Sequence, residues 1–176
     1  MVLITGSYML WSSVYTDVSS KQQATDEQLY VVAKNLVLSE LIFFVGIFLI
    51  PFSDSFSLWN LIQMYLLQDL YFYIVHRSMH TFSLLKKLHN THHSEYLPVL
   101  AWYNNMFEQV FLNLASIAIP FWLSPNPFWV LFLIIAHQIH NSVKGHGIDT
   151  IHSVHHSHTN KRFGSLYLLD KILGTY

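Results

Sequence analysis

The chain has 176 residues, room for a single domain. Hydrophobic residues make up 52% and charged residues 11%, against about 25% charged in soluble domains, so the composition indicates a membrane protein rather than a large soluble core. A net charge near −1 offers nucleic acid nothing to bind, and the lack of cysteine excludes disulfides, zinc–thiolate sites and iron–sulfur clusters.

Residues 1–28 read as an N-terminal arm without a clear hydrophobic period, polar towards its end (SSKQQATDEQ). The first Lys is Lys21, so a cleaved signal peptide is not expected. From 29 to 50 the chain is apolar, and Pro51 ends the run. A helix of that length rises about 33 Å, enough to cross a bilayer core. Lys34 is near its start and can snorkel, whereas Glu40 falls well inside and should face protein or a wet cavity rather than lipid.

After a turn at 51–57, a second apolar span covers 58–75. It carries Asp69, Tyr73, His76 and His80 at spacings that put all four on one helical stripe. Residues 81–104 are polar and rich in His, Lys and Asn. Between Gln109 and Val143 there is no Asp, Glu, Lys or Arg, and Ser124-Pro-Asn-Pro127 interrupts the run with a turn signal. The expectation is a helical hairpin with arms at 106–123 and 127–143, each short enough to leave a shallow or tilted hairpin open. The closing FGSLYLLDKILGTY reads as an amphipathic helix packed under the site.

The fold expected is therefore all-α and integral to the membrane, with about four transmembrane helices in two hairpins. Residues 29–176 form one domain after the arm. Arg77, Lys86, Lys87, Lys144, Lys161, Arg162 and Lys171 fall on the side that carries the histidines, while the turns at 51–57 and 120–127 have no Lys or Arg. The positive-inside rule then makes the helical, histidine-rich cap cytosolic.

Twelve histidines outnumber the nine Lys and Arg. His76 and His80 are four apart, and His89, His92 and His93 repeat the spacing of His152, His155 and His156. Positions i, i+3 and i+4 share a helix face, so each group aims several imidazoles one way. His137 and His140 can add one or two more, and His146 and His158 are extras. One H-x-x-x-H is weak, since a buried histidine is more often a hydrogen-bonded core residue. Three groups on one membrane face point to a metal centre, with donors enough for two ions. Nitrogen donors suit zinc, copper, nickel or iron, and spacing alone does not choose. H-E-x-x-H is absent, and so is a Glu-x-x-His di-iron bundle motif. With no nucleotide loop, redox electrons would have to come from a partner. Two classes stay open: a lipid-modifying enzyme, or a non-catalytic or degenerate membrane metal-binding protein. A transporter would place its ligands at mid-bilayer, whereas these gather at span ends.

His76-Arg-Ser-Met-His80, His89-Asn-Thr-His92-His93 and His152-Ser-Val-His155-His156 resemble the histidine boxes of the membrane fatty acid hydroxylase and sterol desaturase superfamily. Asp69 and Tyr73 are similar to its D-x-x-x-Y before the first box, Ala101–Glu108 to its A-x-Y-x-H-P-x-E, and Phe163-Gly164 with Leu169–Tyr176 to its closing NYG…WD-x-x-x-GTY. Asn105 stands where many relatives have His, and Leu169 where Trp is usual. The resemblance implies two iron ions, with zinc able to replace them on isolation, that use O2 to hydroxylate or desaturate a lipid, either a sterol or a fatty acyl chain. It implies electrons from NAD(P)H through a reductase or cytochrome b5, and a multi-pass protein of the endoplasmic reticulum or a bacterial inner membrane. Carried over by position, the ligands are His76, His80, His89, His92, His93, His140, His152, His155 and His156, with His137 (or His146) the tenth. Asp69 and Glu108 are candidates to orient imidazoles through their distal N–H groups.

Overall fold

A computed structural model describes residues 24–49, 57–94, 97–123 and 151–176. The described residues are helical and contain no strand. Most of the N-terminal arm, the turn at 51–56, the arm at 127–143 and His137, His140 and His146 lie outside them.

Helix α1 runs Asp26–Leu49, starting three residues before the apolar run does. The cause is a capping box: Thr25 N donates to Gln28 Oε1 (2.9 Å) and Gln28 N to Thr25 Oγ1 (3.3 Å). Helix α2 runs Leu58–Thr81 behind a Ser57 cap, so the apolar stretch expected as the second span and the His76/His80 pair are one continuous rod, although α2 is not among the described helices apolar enough to cross a membrane. Extended backbone at Phe82 breaks it, and α3 (Ser83–His93) folds back beside it. Leu97 and a short 3-10 turn, Pro98–Leu100, lead to α4 (Met106–Leu123), whose second turn onward is π-helical over Gln109–Leu114. Helices α5 (Ile151–Ser157) and α6 (Leu168–Leu173) are short. Only that six-residue piece of the tail is helical; the expected longer amphipathic helix is replaced by a loop shaped around Asp170.

By length and composition, Asp26–Gly46 in α1 and Met106–Leu123 in α4 can cross a membrane. Their mutual contact is polar. Asn35 Nδ2 donates to Trp102 O, Asn104 O and Asn104 Oδ1 at 2.9–3.0 Å. Gln109 Nε2 donates to Ser39 Oγ (2.6 Å), and Asn113 Nδ2 to Gln109 Oε1 (3.2 Å). Between apolar helices such hydrogen bonds supply specificity that lipid-like side chains cannot. Val32 and Leu36 add an apolar contact with Leu97, Leu100 and Trp102, while Phe72 and Met79 of α2 pack on Leu112.

The tail is pinned to α2 by the stripe that also carries the histidines. Asp69, buried in mid-helix, accepts from Leu166 N (2.8 Å) and Leu169 N (3.1 Å). Arg77 Nη1 donates to Tyr73 Oη (2.6 Å), which lies 3.2 Å from Thr175 Oγ1. Gly164 passes between two carboxylates: a Cβ there would lie 2.7 Å from Asp69 Oδ1 and 2.9 Å from Asp170 Oδ2. Gly164→Ala should therefore force the carboxylates apart and destabilise the fold by about 2 kcal/mol, the scale of overpacking a tight site. A thermal melt of the purified protein in detergent checks this; a melting temperature equal to wild type would show that the site can give.

Candidate metal centre

Five imidazoles from three helices converge: His76 and His80 from α2, His89 and His93 from α3, and His155 from α5. One ligand nitrogen from each lies within 4.8 Å of all the others. The direct approaches are all between Nε2 atoms: His76 to His89 at 3.1 Å, His89 to His93 at 2.9 Å, His93 to His155 at 3.1 Å and His155 to His80 at 3.0 Å. His76, His89 and His155 are at most 1% exposed.

The far side of three rings fixes where their protons sit. His76 Nδ1 lies 2.8 Å from Phe163 O, and His155 Nδ1 is hydrogen-bonded to Lys161 O. A carbonyl only accepts, so Nδ1 carries the proton, and a neutral imidazole has just one. Nε2 of both rings is then a bare lone pair. Behind His89, Glu108 Oε2 stands 3.0 Å from Nδ1, without the alignment of a regular hydrogen bond but with the same electrostatic preference for a proton on that side. Burial pushes the pKa of His155 down to about 4, with His89 adding to the effect and the Lys161 carbonyl opposing it. Burial, then His89, His155 and Lys86, lowers His80 to about 2. His93 is driven further down by burial and by His89, His155, His156 and His80.

The bare Nε2 lone pairs of His76 and His155 need a proton or a cation facing them, and a metal ion among the five nitrogens would meet both at once. The spacing fits such a cation, since two nitrogens about 2.1 Å from one metal and at right angles to each other are about 3.0 Å apart. The donor set, its tautomers and its spacing thus suit a metal ion.

His92 and His156 lie beside this group rather than in it. Their ring centroids are 5.0 Å apart, and His156 is 4.5 Å from His93. His152 is on α5, but its side chain, like His137 and His140, lies outside the described residues. Of the two carboxylates expected to orient imidazoles, Glu108 does stand behind one. Asp69 does not in the hydrogen bonds described: both its oxygens are taken by backbone amides of the tail. Asn105, in the place of a family histidine, caps α4 by accepting from Glu108 N (3.0 Å) and hydrogen-bonds Leu88 O of α3, so it fixes Glu108 against the helix bearing His89. Two functional groups escape any reading of side chains, the carbonyls of Lys161 and Phe163. Asp170 lies in a recognisable motif but shows its part only in its contacts.

The fatty acid hydroxylase family model matches residues 61–175, roughly two-thirds of the chain and all of the described histidine groups. The chain belongs to the fatty acid hydroxylase family. Two Dictyostelium discoideum proteins, each named "Putative methylsterol monooxygenase", are 27% identical to it over 142 residues, covering 70% of this chain and 52% and 53% of their own lengths. The chain thus spans about half the length of the curated relatives it matches. No solved structure matches it. Family membership supports a lipid-acting oxidoreductase, and the histidine cluster is where a metal would be held.

The depressed histidine pKa values have a consequence for the metal-free protein. Above pH 6.5 these rings are neutral both folded and unfolded and add no pH dependence to stability. Below it the unfolded chain takes up protons that folded His80 and His155 refuse until about pH 2 and 4, so stability falls with pH. The ion-free protein should melt at a lower temperature at pH 5 than at pH 7.5, and added metal should raise the melting temperature more at pH 7.5, where it does not compete with protons. Melting curves at both pH values, with and without chelator, measure this; an ion-free protein equally stable at both would refute it.

Proposed function

We propose that this chain is a membrane-embedded, O2-dependent di-iron enzyme that hydroxylates or desaturates a lipid. The observation that carries the reading is the convergence of five imidazoles, three of them buried and two half-buried, beside apolar helices in a member of the fatty acid hydroxylase family. His76, His80, His89, His93 and His155 would hold one ion. His92 and His156, with His152 and one or two of His137, His140 and His146, would hold the other. Bound iron would supply activation of O2 and removal of hydrogen from an unactivated C–H bond. The chain's own residues set the conditions for it. Glu108 stands behind the distal nitrogen of His89, the carbonyls of Phe163 and Lys161 hold His76 and His155, and burial disfavours protonation of His80, His93 and His155.

The remaining parts follow from the same reading. Spans at 29–50, 58–75, 106–123 and 127–143 would form two hairpins, with the histidine cap on the cytosolic side of an endoplasmic-reticulum or bacterial inner membrane. No nucleotide-binding loop is evident in the sequence, so electrons would come from NAD(P)H through a reductase or cytochrome b5. A lipid can slide sideways from the bilayer to the cluster without entering water. The likeness to the two Dictyostelium proteins makes a methyl-bearing sterol the first substrate class to assay, ahead of fatty acyl chains.

Expression in a sterol-producing host, with lipids profiled by mass spectrometry, tests the reaction. Wild type should generate an oxygenated, demethylated or newly unsaturated lipid, and His89→Ala should abolish it. Metal analysis of the same preparations should give two ions per wild-type chain. Lipid profiles identical for wild type and His89→Ala would sink the enzyme reading, and metal bound without turnover would leave a metal-binding relative.

A further inference from the structure

The protons on two of the converging histidines are held by peptide groups, and both peptide groups are anchored by the same acid. We propose that Asp170 is a positioning residue for the imidazoles of His76 and His155, acting through two peptide units of the C-terminal loop; this rests on the proposed metal centre.

The first unit joins Phe163 to Gly164. Its carbonyl faces His76 Nδ1 at 2.8 Å, and its N–H donates to Asp170 Oδ2 at 2.6 Å. The second joins Lys161 to Arg162. Its carbonyl takes the proton of His155 Nδ1, and its N–H donates to Thr175 O at 2.7 Å. Thr175 is in turn locked to Asp170, with Oγ1 donating to Oδ1 (2.7 Å) and N to the main-chain O (2.9 Å). Asp170 Oδ1 also accepts from Phe163 N (2.9 Å), and the residue is fully buried. Each unit therefore reads acceptor, N–H, C=O, imidazole N–H, with the lone pair of Nε2 at the far end. In the first unit the Asp170 carboxylate polarises the peptide, makes its carbonyl a better acceptor and biases the ring towards the tautomer that leaves Nε2 bare; in the second the acceptor is the Thr175 carbonyl, which Asp170 holds in place. Where Glu108 stands directly behind His89, Asp170 acts on His76 through one peptide unit and on His155 through Thr175 and a second.

The backbone is bent to make this possible. Arg162 and Tyr167 both adopt positive φ (61° and 59°), a conformation that ordinary side chains avoid. Asp69 steadies the same loop from α2 through Leu166 N and Leu169 N and lies against Gly164, but in the hydrogen bonds described it accepts from neither peptide unit.

The test uses the full chain in detergent. Co(II) binding is measured by competition with a chelator, together with the visible spectrum of the Co(II) form. Imidazole 15N shifts are recorded on ion-free protein. Asp170→Asn keeps the shape but turns one accepting oxygen into a donor facing N–H groups. It should weaken Co(II) binding 10- to 100-fold, the usual effect of losing a residue that orients a ligand. It should also alter the Co(II) spectrum and turn the single Nδ1–H tautomer of His76 and His155 into a mixture. Thr175→Val removes only the hydroxyl link and should do the same more weakly; it decides the matter if Asp170→Asn does not fold. The exposed Ile172→Ala should change nothing. Wild-type Co(II) affinity and a single tautomer in the folded variants would overturn the proposal. Should wild type itself take up no Co(II), the proposed function falls, and the tautomers alone decide: mixing in the variants supports the role of Asp170, and unchanged shifts refute it.

Discussion

An imidazole nitrogen that carries only a lone pair and is buried against other nitrogens needs a proton or a cation on the facing side. Four Nε2-to-Nε2 approaches near 3 Å, with Nε2 of His76 and of His155 left bare by their Nδ1 hydrogen bonds, set that condition here. Most of the other features around the centre can be traced to it. The break at Phe82 lets α3 lie back along α2, so that histidines 13 residues apart in sequence meet ring to ring. The π-helical stretch of α4 begins directly after Glu108, whose carboxylate reaches His89 while Gln109 turns to Ser39 of α1. A buried polar ladder between apolar helices then has a purpose beyond helix association. It holds in place the helix that carries the acid behind the ligand.

Much of this was legible in the sequence because helical spacing is a strong constraint on where side chains point. The 76/80 and 89/92/93 groups lie on helices as their periodicity requires, and five of the ten expected ligands come together. The boundary of α1 was less legible by hydrophobicity, because Thr25 and Gln28 begin the helix with hydrogen bonds that an apolar count does not see. Asp69 shows the limit of reading chemistry from residue type. An acid on the histidine stripe is a natural candidate to orient a ring, yet it stands about 10 Å along the helix from His76, and the tail's amides claim it. The carbonyls of Lys161 and Phe163 have no sequence signature, since every residue carries one. What selects them is the path of the loop, and that path depends on Gly164 fitting between Asp69 and Asp170.

The substitution of Asn for a customary family histidine at position 105 has a physical account. Asn is among the best helix caps, and here it joins the first turn of α4 to the main chain of α3. That junction fixes the distance between Glu108 and His89. A change that removes a ring from one place thus leaves a residue supporting the orientation of another, which is compatible with a working centre.

The tail also changes how α2 can sit in a membrane. Asp69 is eleven residues past Leu58, about 16 Å along the helix, and from there onward the loop's backbone and polar side chains run against one side of α2. A rod of that length reaches only about halfway through a bilayer core before one of its faces is covered by protein. On the proposed reading this depth serves the chemistry. The remaining faces of α2 still expose Leu66, Leu70 and Ile74 as an apolar stripe, while the covered face carries the ligands. On that same reading one helix would face lipid on one side and carry the first histidine pair on the other, and a substrate carbon would travel around a helix, not out of the membrane, to reach the nitrogens.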